Sequence, residues 1–303
     1  MKIAVTGGAG YIGSRLCSRL LDMGYDVVCI DWLKWGIEPV LHIVDHPRFN
    51  LHCVDIRTPA VEPLVRDADA VIHLAGIIGF PACNAEPDLA YHINVEGTKR
   101  VIDASTGLFV YASTGSVYGD LNSVCTENVD TNPLSTYAEY KLRGEEYLRD
   151  TNAVILRPAT AFGISNRLRT DLLINDFTRR AIFERKLELF EGHFKRTFLS
   201  VNDLVRAFEW GVTYHDTMSG EVWNVGDRSL NLTKLDIANV IKEYIDYELI
   251  VNDAIKHDQD ARNYFVDYSK IENIGFYAEE TVDSGIRTLI QVYNNLTQQR
   301  HYQ

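Results

Sequence analysis

The chain has 303 residues, 46% hydrophobic and 24% charged, the composition of an ordinary soluble globular protein with one large core or two lobes. Acids outnumber bases 42 to 30, a net charge of −12, which argues against nucleic acid or an anionic membrane as a partner and still allows a local basic site for a phosphate. No stretch reads as a membrane span, the opening Met1 to Thr6 runs straight into glycines with no room for a signal peptide, and no metal site is expected. The five cysteines are odd in number and scattered, with no C-x-x-C, a pattern that favours a reducing, cytoplasmic compartment. Cys17, Cys29 and Cys53 lie in apolar runs and are expected to be buried thiols, whereas Cys83 and Cys125 are expected in loops.

Lys2 to Thr6 reads as a short apolar strand, and Ser14 to Met23 as a helix with apolar residues at helical spacing. Between them stands Gly7-Gly8-Ala9-Gly10-Tyr11-Ile12-Gly13, a G-x-x-G-x-x-G turn. Strand, glycine turn and helix in that order allow a pyrophosphate to approach the backbone and rest on a helix N-terminus. Asp26 to Ile30 is a second strand ending in Asp31, 24 residues after Gly7. A carboxylate there can accept both hydroxyls of an adenosine ribose and repels a 2′-phosphate, so NAD is expected over NADP, with Lys34 the nearby cation that works against this. A third strand near Phe49 to Val54 ends in Asp55-Ile56-Arg57, where Asp55 either accepts from an adenine amino group or caps the next helix. Ala70 to His73 is the fourth strand, with His73 read as a packed strand residue. The small residues in Leu74-Ala75-Gly76 leave room for a cofactor beside the backbone.

Glu86 to Ala104 reads as one long helix containing Asn94, and Leu108 to Ala112 as the fifth strand, followed by Ser113-Thr114-Gly115-Ser116-Val117-Tyr118-Gly119. A helix from Pro133 or Leu134 carries Tyr137 and Lys141, one turn apart on the same face. An ammonium in that position stabilises the phenolate and tunes the tyrosine as a base near neutral pH. Asn152 to Leu156 is a sixth strand. Strands and helices thus alternate over the first ~155 residues, the signature of an α/β, Rossmann-type doubly wound parallel sheet. Past Arg157-Pro158 the alternation stops. Helices are expected over Asp171 to Glu184, from Val201-Asn202-Asp203 to about Tyr214, Thr233 to Tyr244 and Thr281 to Leu296. Extended segments are expected at Lys186 to Phe190, Arg196 to Ser200, Glu221 to Val225 and Arg262 to Asp267. The expected division is a dinucleotide-binding domain over 1–157, with return segments near 196–215 and 221–226, and a smaller, interwoven substrate lobe over 158–303.

Taken together, T-G-G-A-G-Y-I-G at 6–13, Asp31, Asp55-Ile56-Arg57, H-L-A-G at 73–76, Asn94, S-T-G-S-V-Y-G at 113–119, Y-A-E-Y-K at 137–141, R-P at 157–158, R-T-F-L-S-V-N-D at 196–203, N-V-G at 224–226 and Arg262 with the Asp267-to-Lys270 tail resemble the extended short-chain dehydrogenase/reductase family, in its nucleotide-sugar epimerase/dehydratase branch. The resemblance covers nearly the whole chain. It implies that Gly7, Gly10, Tyr11, Ile12 and Gly13 face the NAD pyrophosphate, that Asp31 binds the adenosine ribose, and that Trp32, Leu33, Trp35 and Gly36 belong to the adenosine-side loop. It adds Asp55, Ile56, Leu74, Ala75, Gly76, Ser113 and Pro158 to the cofactor side, with Asn94 bracing backbone. Tyr137 is then the base, Lys141 its partner on the nicotinamide ribose, and Thr114 the group that hydrogen-bonds the reacting sugar hydroxyl. Thr160, Asp171 or Asn175, Arg196 and Arg262 fall where relatives grip a nucleotide-diphosphate sugar, while Arg167 and Arg169 either meet an acidic or phosphorylated group or line a solvated loop. The resemblance also implies a homodimer through the helices Glu86 to Ala104 and Pro133 to Arg149.

Departures from the family patterns select a reaction. A 4,6-dehydratase needs an acid and a base after its Ser/Thr, and decarboxylases tend to carry a glutamate there; this chain has Gly115-Ser116. The 3,5-epimerases and fucose-type synthases carry a cysteine two before the tyrosine that corresponds to Tyr118, where this chain has Ser116. A plain C4 epimerase needs neither group. The alternatives are a 4-keto-sugar reductase or dehydrogenase, a dehydratase or decarboxylase with unfamiliar acid and base groups, and a catalytically silent NAD-binding regulator.

Overall fold

The computed structural model describes residues 1–120, 124–252 and 265–299. Seven strands, β1 (Lys2–Thr6), β2 (Asp26–Asp31), β3 (Phe49–Cys53), β4 (Ala70–His73), β5 (Leu108–Ala112), β6 (Val154–Pro158) and β7 (Val222–Val225), form one sheet in the order β7-β6-β5-β4-β1-β2-β3. Every pairing in it is parallel. The inner strands are buried on both faces, which is why they read as near-continuous apolar runs, whereas the edge strand β3 is half-exposed. Ile3 and Val5 pack with Leu16, Leu20, Leu204 and Phe208, whereas Ala4 packs with Val61, Val65, Val101 and Tyr111 on the opposite face. Strand order reverses between β4 and β1, the crevice at which doubly wound sheets bind ligands.

Helices α1 (Tyr11–Asp22), α2 (87–104), α3 (Thr136–Tyr147), α4 (Leu173–Phe183) and α5 (Val201–Thr213) carry the residues that matter below. α1 lies along α5, tied by an Arg19–Glu209 ion pair at 3.0 Å. α3 starts later than the sequence suggests, at Thr136, because the Ser135 side chain caps it by accepting from Ala138 N. α2 is not one uniform helix: residues His92–Gly97 form a π turn between two α segments. A widened turn of this kind redirects side chains and recurs at functional sites. Gly97 sits where an added Cβ would strike the Ile56 side chain at 2.9 Å.

The chain leaves the sheet after β6, returns for α5 and β7, and leaves again. Outside the main sheet, Lys195–Ser200 pairs in parallel with Thr160–Phe162 and antiparallel with Asn231–Thr233. Because Thr160–Phe162 and Asn231–Thr233 follow the ends of β6 and β7, this small sheet stands over the carboxyl end of the large one. Glu248–Val251 pairs with Lys186–Leu189, and Val124–Cys125 with Phe265–Val266. The apolar core runs unbroken from the sheet into this region through Ile174, Leu187, Phe198 and Ile286.

The cysteine expectations need correction. Cys53 is exposed, because it is the last residue of β3, the edge strand of the sheet, past the point where Phe49 and Leu51 on the same face reach the core. Cys83 lies buried in the helix Phe80–Ala85 and Cys125 buried in a short strand, neither in a loop. All five are free thiols. Among the described residues no helix is long and apolar enough to cross a membrane, and no group of three His, Cys, Asp or Glu is placed to hold a metal ion.

Candidate active site

The glycine turn lies at the carboxyl end of β1, with α1 starting at Tyr11 behind Gly10. Gly7 has φ +70°, and a Cβ there would come within 2.8 Å of Ala75 N. At Gly13 a Cβ would meet Gly7 O at 2.2 Å, so the first turn of α1 can settle onto the loop only as glycine. With no Cβ at Gly7, Gly10 or Gly13, the open N–H groups at the start of α1 can be approached closely, a cradle suited to a pyrophosphate. Beside it, Asp31 accepts from Ala9 N at 3.0 Å and from Leu33 N at 2.8 Å. Burial raises the Asp31 pKa, opposed by those two backbone donors and by the Arg167 charge. A carboxylate has about four lone-pair sites, so Asp31 keeps acceptor capacity for a ribose diol. Cradle and carboxylate therefore fit a dinucleotide such as NAD.

The other expected cofactor residues divide. Leu74 N and Ala75 N bond to Thr6 O and Thr6 Oγ1, which brings this segment against β1. Asn94 accepts from Ile77 N at 2.7 Å and donates to Ile77 O at 2.8 Å, and Gly76 lies within 3.0 Å of its side chain when a Cβ is added. Asn94 is thus a backbone brace. Asp55 is engaged by Arg57, whose guanidinium in turn lies 5.7 Å from the centre of the Trp32 ring; Ile56 is buried. Trp35 is 64% exposed, and Leu33 and Gly36 both have positive φ, which sets the bend of this loop. His73 is buried between Thr6 Oγ1 at 2.7 Å and Thr98 Oγ1 at 2.9 Å. Burial, with the Lys141 charge behind it, pushes His73 down to about 3, so it is a neutral packed histidine.

Lys141 is buried, one turn after the half-buried Tyr137 on α3. Its ammonium donates to Ala112 O, the last residue of β5, at 2.8 Å and lies 5.1 Å from the Tyr111 ring centre. That bond places α3 directly beside Ser113 and Thr114. Thr114 Oγ1 accepts from Ser116 N at 3.1 Å and donates to Ser116 Oγ at 3.1 Å, capping the tight turn Gly115–Tyr118. The serine that sequence reasoning gave no chemistry therefore orients the Thr114 hydroxyl.

Burial lowers the Lys141 pKa to about 8. A lysine so shifted sheds its proton in the folded state before the unfolded chain does. The burial penalty is fully present below about 8 and is relieved as pH climbs toward the ordinary 10.5, so the stability that Lys141 withholds returns across that window. Lys141→Met should abolish this rise, and NMR titration of the labelled lysine side chains of the cofactor-stripped protein should find one midpoint near 8 that the variant lacks.

A buried polar chain backs the site. Glu145, one further turn along α3, is held by Arg157 through Nε at 3.0 Å and Nη2 at 2.6 Å, both side chains 6% exposed, and accepts from the Ser113 hydroxyl. Arg157 Nη1 reaches Tyr118 OH at 3.1 Å, and that hydroxyl donates to Asn224 Oδ1 at 2.6 Å. Asn224 then donates to Cys125 O and Asp267 O. Sequence reasoning assigned Glu145 nothing, although its spacing of four after Lys141 placed it on the same face.

The expected substrate residues are less united. Pro158 and Thr160 lie at the end of β6 and the start of the next short strand. Arg196 is buried in Lys195–Ser200, opposite Leu232. Asp171 is exposed and paired with Arg169, at 3.0 Å to Nε. Asn175 is fully buried, accepting from Gly163 N at 2.9 Å and donating to Gly163 O and Arg169 O, which holds the 163–169 loop in shape. Arg262 lies outside the described residues.

Residues 3–226 match the model of the NAD dependent epimerase/dehydratase family. The uncharacterized UDP-glucose epimerase YtcB of Bacillus subtilis is 28% identical, over 98% of this chain and 99% of its own. UDP-glucuronic acid decarboxylase 1 of Arabidopsis thaliana is 27% identical over 97% of this chain and 70% of its own. Among solved structures, UDP-glucuronic acid 4-epimerase from Bacillus cereus, in complex with UDP-glucuronic acid and NAD, superposes with a TM-score of 0.85 at 26% identity, covering 98% of this chain and all (100%) of that one.

Proposed function

The chain belongs to the NAD dependent epimerase/dehydratase family, and from that premise we propose that it inverts C4 of a UDP-sugar through a transient 4-keto sugar. NAD, when bound, takes a hydride from the sugar carbon and gives it back, so that none is consumed overall. The residues of the chain manage the proton and the geometry. Tyr137, as phenolate, removes the proton of the C4 hydroxyl. The Thr114 hydroxyl, turning its proton from Ser116 Oγ to the same oxygen, hydrogen-bonds it there, and the Lys141 ammonium one turn away favours the phenolate. After the keto sugar turns over in the cleft, Tyr137 returns the proton to its oxygen.

The observation that carries the choice of epimerase is the turn Gly115–Tyr118. Its first two residues offer a hydrogen atom and a hydroxyl already bonded to Thr114, neither able to protonate a leaving group. The buried carboxylate behind it, Glu145, is engaged through both oxygens by Arg157. The sugar classes to test are those of similar proteins, UDP-glucose and UDP-glucuronic acid. Incubated with either, the enzyme should yield a product of unchanged mass with no sustained absorbance at the NADH band. Loss of water or carbon dioxide, or stoichiometric NADH, would replace this reading with a lyase or a dehydrogenase. Thr114→Ala should lower kcat about 10–100-fold, the value of one hydrogen bond to a developing charge, with Thr114→Ser restoring most of it in the same product assay.

We also assign the outer faces of α2 and α3 to a homodimer. In support, α3 presents a shallow groove lined by Leu142 and Tyr147 together with the charged Glu139, Arg143 and Glu146. The five free thiols fit a reducing, cytoplasmic setting.

A further inference from the structure

The loop 163–169 crosses from one half of the molecule to the other. At its start, Gly163 O accepts from Tyr11 OH at 2.8 Å, and Ser165 Oγ bonds Tyr11 O and, at 3.2 Å, Ser14 Oγ, both in the first turns of α1. Further along, Asn166 Nδ2 donates to Pro39 O at 3.1 Å and lies against the His42 ring, which is itself held by Ser18 Oγ at 2.8 Å. Arg167 then lays its guanidinium over the exposed Trp35 ring, 4.5 Å from the ring centre. It is close enough to Asp31 for its charge to oppose the upward push of burial on that carboxylate. One short loop therefore joins the N-terminus of α1, where the pyrophosphate cradle lies, to the 35–42 segment beyond Asp31. Asn175 fixes its shape from beneath.

We propose that the 163–169 loop is a latch across the adenosine end of the cofactor cleft, closed by Arg167 on Trp35 and by Asn166 on Pro39 and His42, and that its opening sets the rate at which NAD enters and leaves. The inference rests on NAD occupying the cleft between the glycine turn and Asp31. The latch contacts are protein to protein throughout. Weakening them raises the open fraction equally whether the cleft is filled or empty. Entry and exit should then accelerate by the same factor, leaving affinity unchanged, whereas a side chain that gripped the cofactor itself would change exit alone.

The test uses the full chain, stripped of cofactor and reloaded. Association is followed by tryptophan fluorescence in stopped flow, and dissociation by chasing radiolabelled NAD with excess unlabelled NAD. Arg167→Gln and Asn166→Ala, chosen because Trp35 remains, should each raise both rates about three- to five-fold, with Kd within two-fold of the parent and melting temperature preserved. Rates unchanged in both folded variants overturn the latch, as does a faster exit with unaltered entry. Failure of the parent protein to bind NAD at all would instead overturn the cofactor reading, and the latch with it.

Discussion

Replacing Tyr137 with phenylalanine should lower kcat about 10³-fold while leaving NAD bound, because the change deletes one oxygen and little else. The aromatic ring stays, α3 keeps its Ser135 cap, and Lys141 keeps its bond to Ala112 O. What disappears is the group that accepts the proton of the sugar hydroxyl. General acid–base catalysis by a positioned side chain contributes about 10²–10⁴-fold, and Tyr137 acts in both half-reactions, so the loss belongs toward the upper part of that range. The informative comparison is kcat against the dissociation constants of NAD and the nucleotide sugar, measured on the same protein. A large fall in kcat with both constants within a few-fold is the signature of a base. Turnover within ten-fold of the parent would remove Tyr137 from that role.

The largest expected effect on stability lies behind the site. Arg157→Met should cost about 3–5 kcal/mol, since it leaves the Glu145 carboxylate buried without its partner. Both side chains are 6% exposed and joined by two hydrogen bonds, so water cannot take the place of the guanidinium without opening the packing around β6. Tyr118 also loses the donor that reaches its hydroxyl. Chemical denaturation at fixed NAD concentration should show the fall as a lower midpoint. Removing both charges together, in Glu145→Leu with Arg157→Met, should recover much of it, because a pair of apolar groups carries no desolvation penalty. A loss below about 1 kcal/mol in the single variant would mean that the pair is reached by solvent, as exposed ion pairs are. The Ser113 hydroxyl, which donates to Glu145, sits next to Thr114, so the single variant should also loosen the catalytic turn.

How much of this could be read from the chain alone depended on whether the signal was local. The inner strands of the large sheet announced themselves because parallel strands buried on both faces are apolar throughout, and the glycine turn because its spacing is confined to seven residues. Tyr137 and Lys141 were legible as a spacing of four. The π turn in α2 was not, because no periodicity separates it from an ordinary helix; its effect is on where Asn94 points. Cys53 was misplaced because an apolar run does not reveal that its strand lies at the sheet edge. The Arg157–Glu145–Ser113 chain and the contacts of Asn166 and Arg167 join residues brought together only by the fold, up to 132 positions apart in the case of Arg167 and Trp35. The short strands Thr160–Phe162 and Asn231–Thr233 are three residues each, too brief for alternation to register.

C4 inversion is tested most directly by the fate of an isotope. UDP-glucose and UDP-glucuronic acid carrying deuterium at C4 would be converted by the NAD-loaded enzyme and the products read by NMR and mass spectrometry. The account predicts the 4-epimer at unchanged mass with the deuterium still on C4. A product lighter by water or carbon dioxide, or a 4-epimer whose deuterium has been replaced by solvent hydrogen, would contradict it.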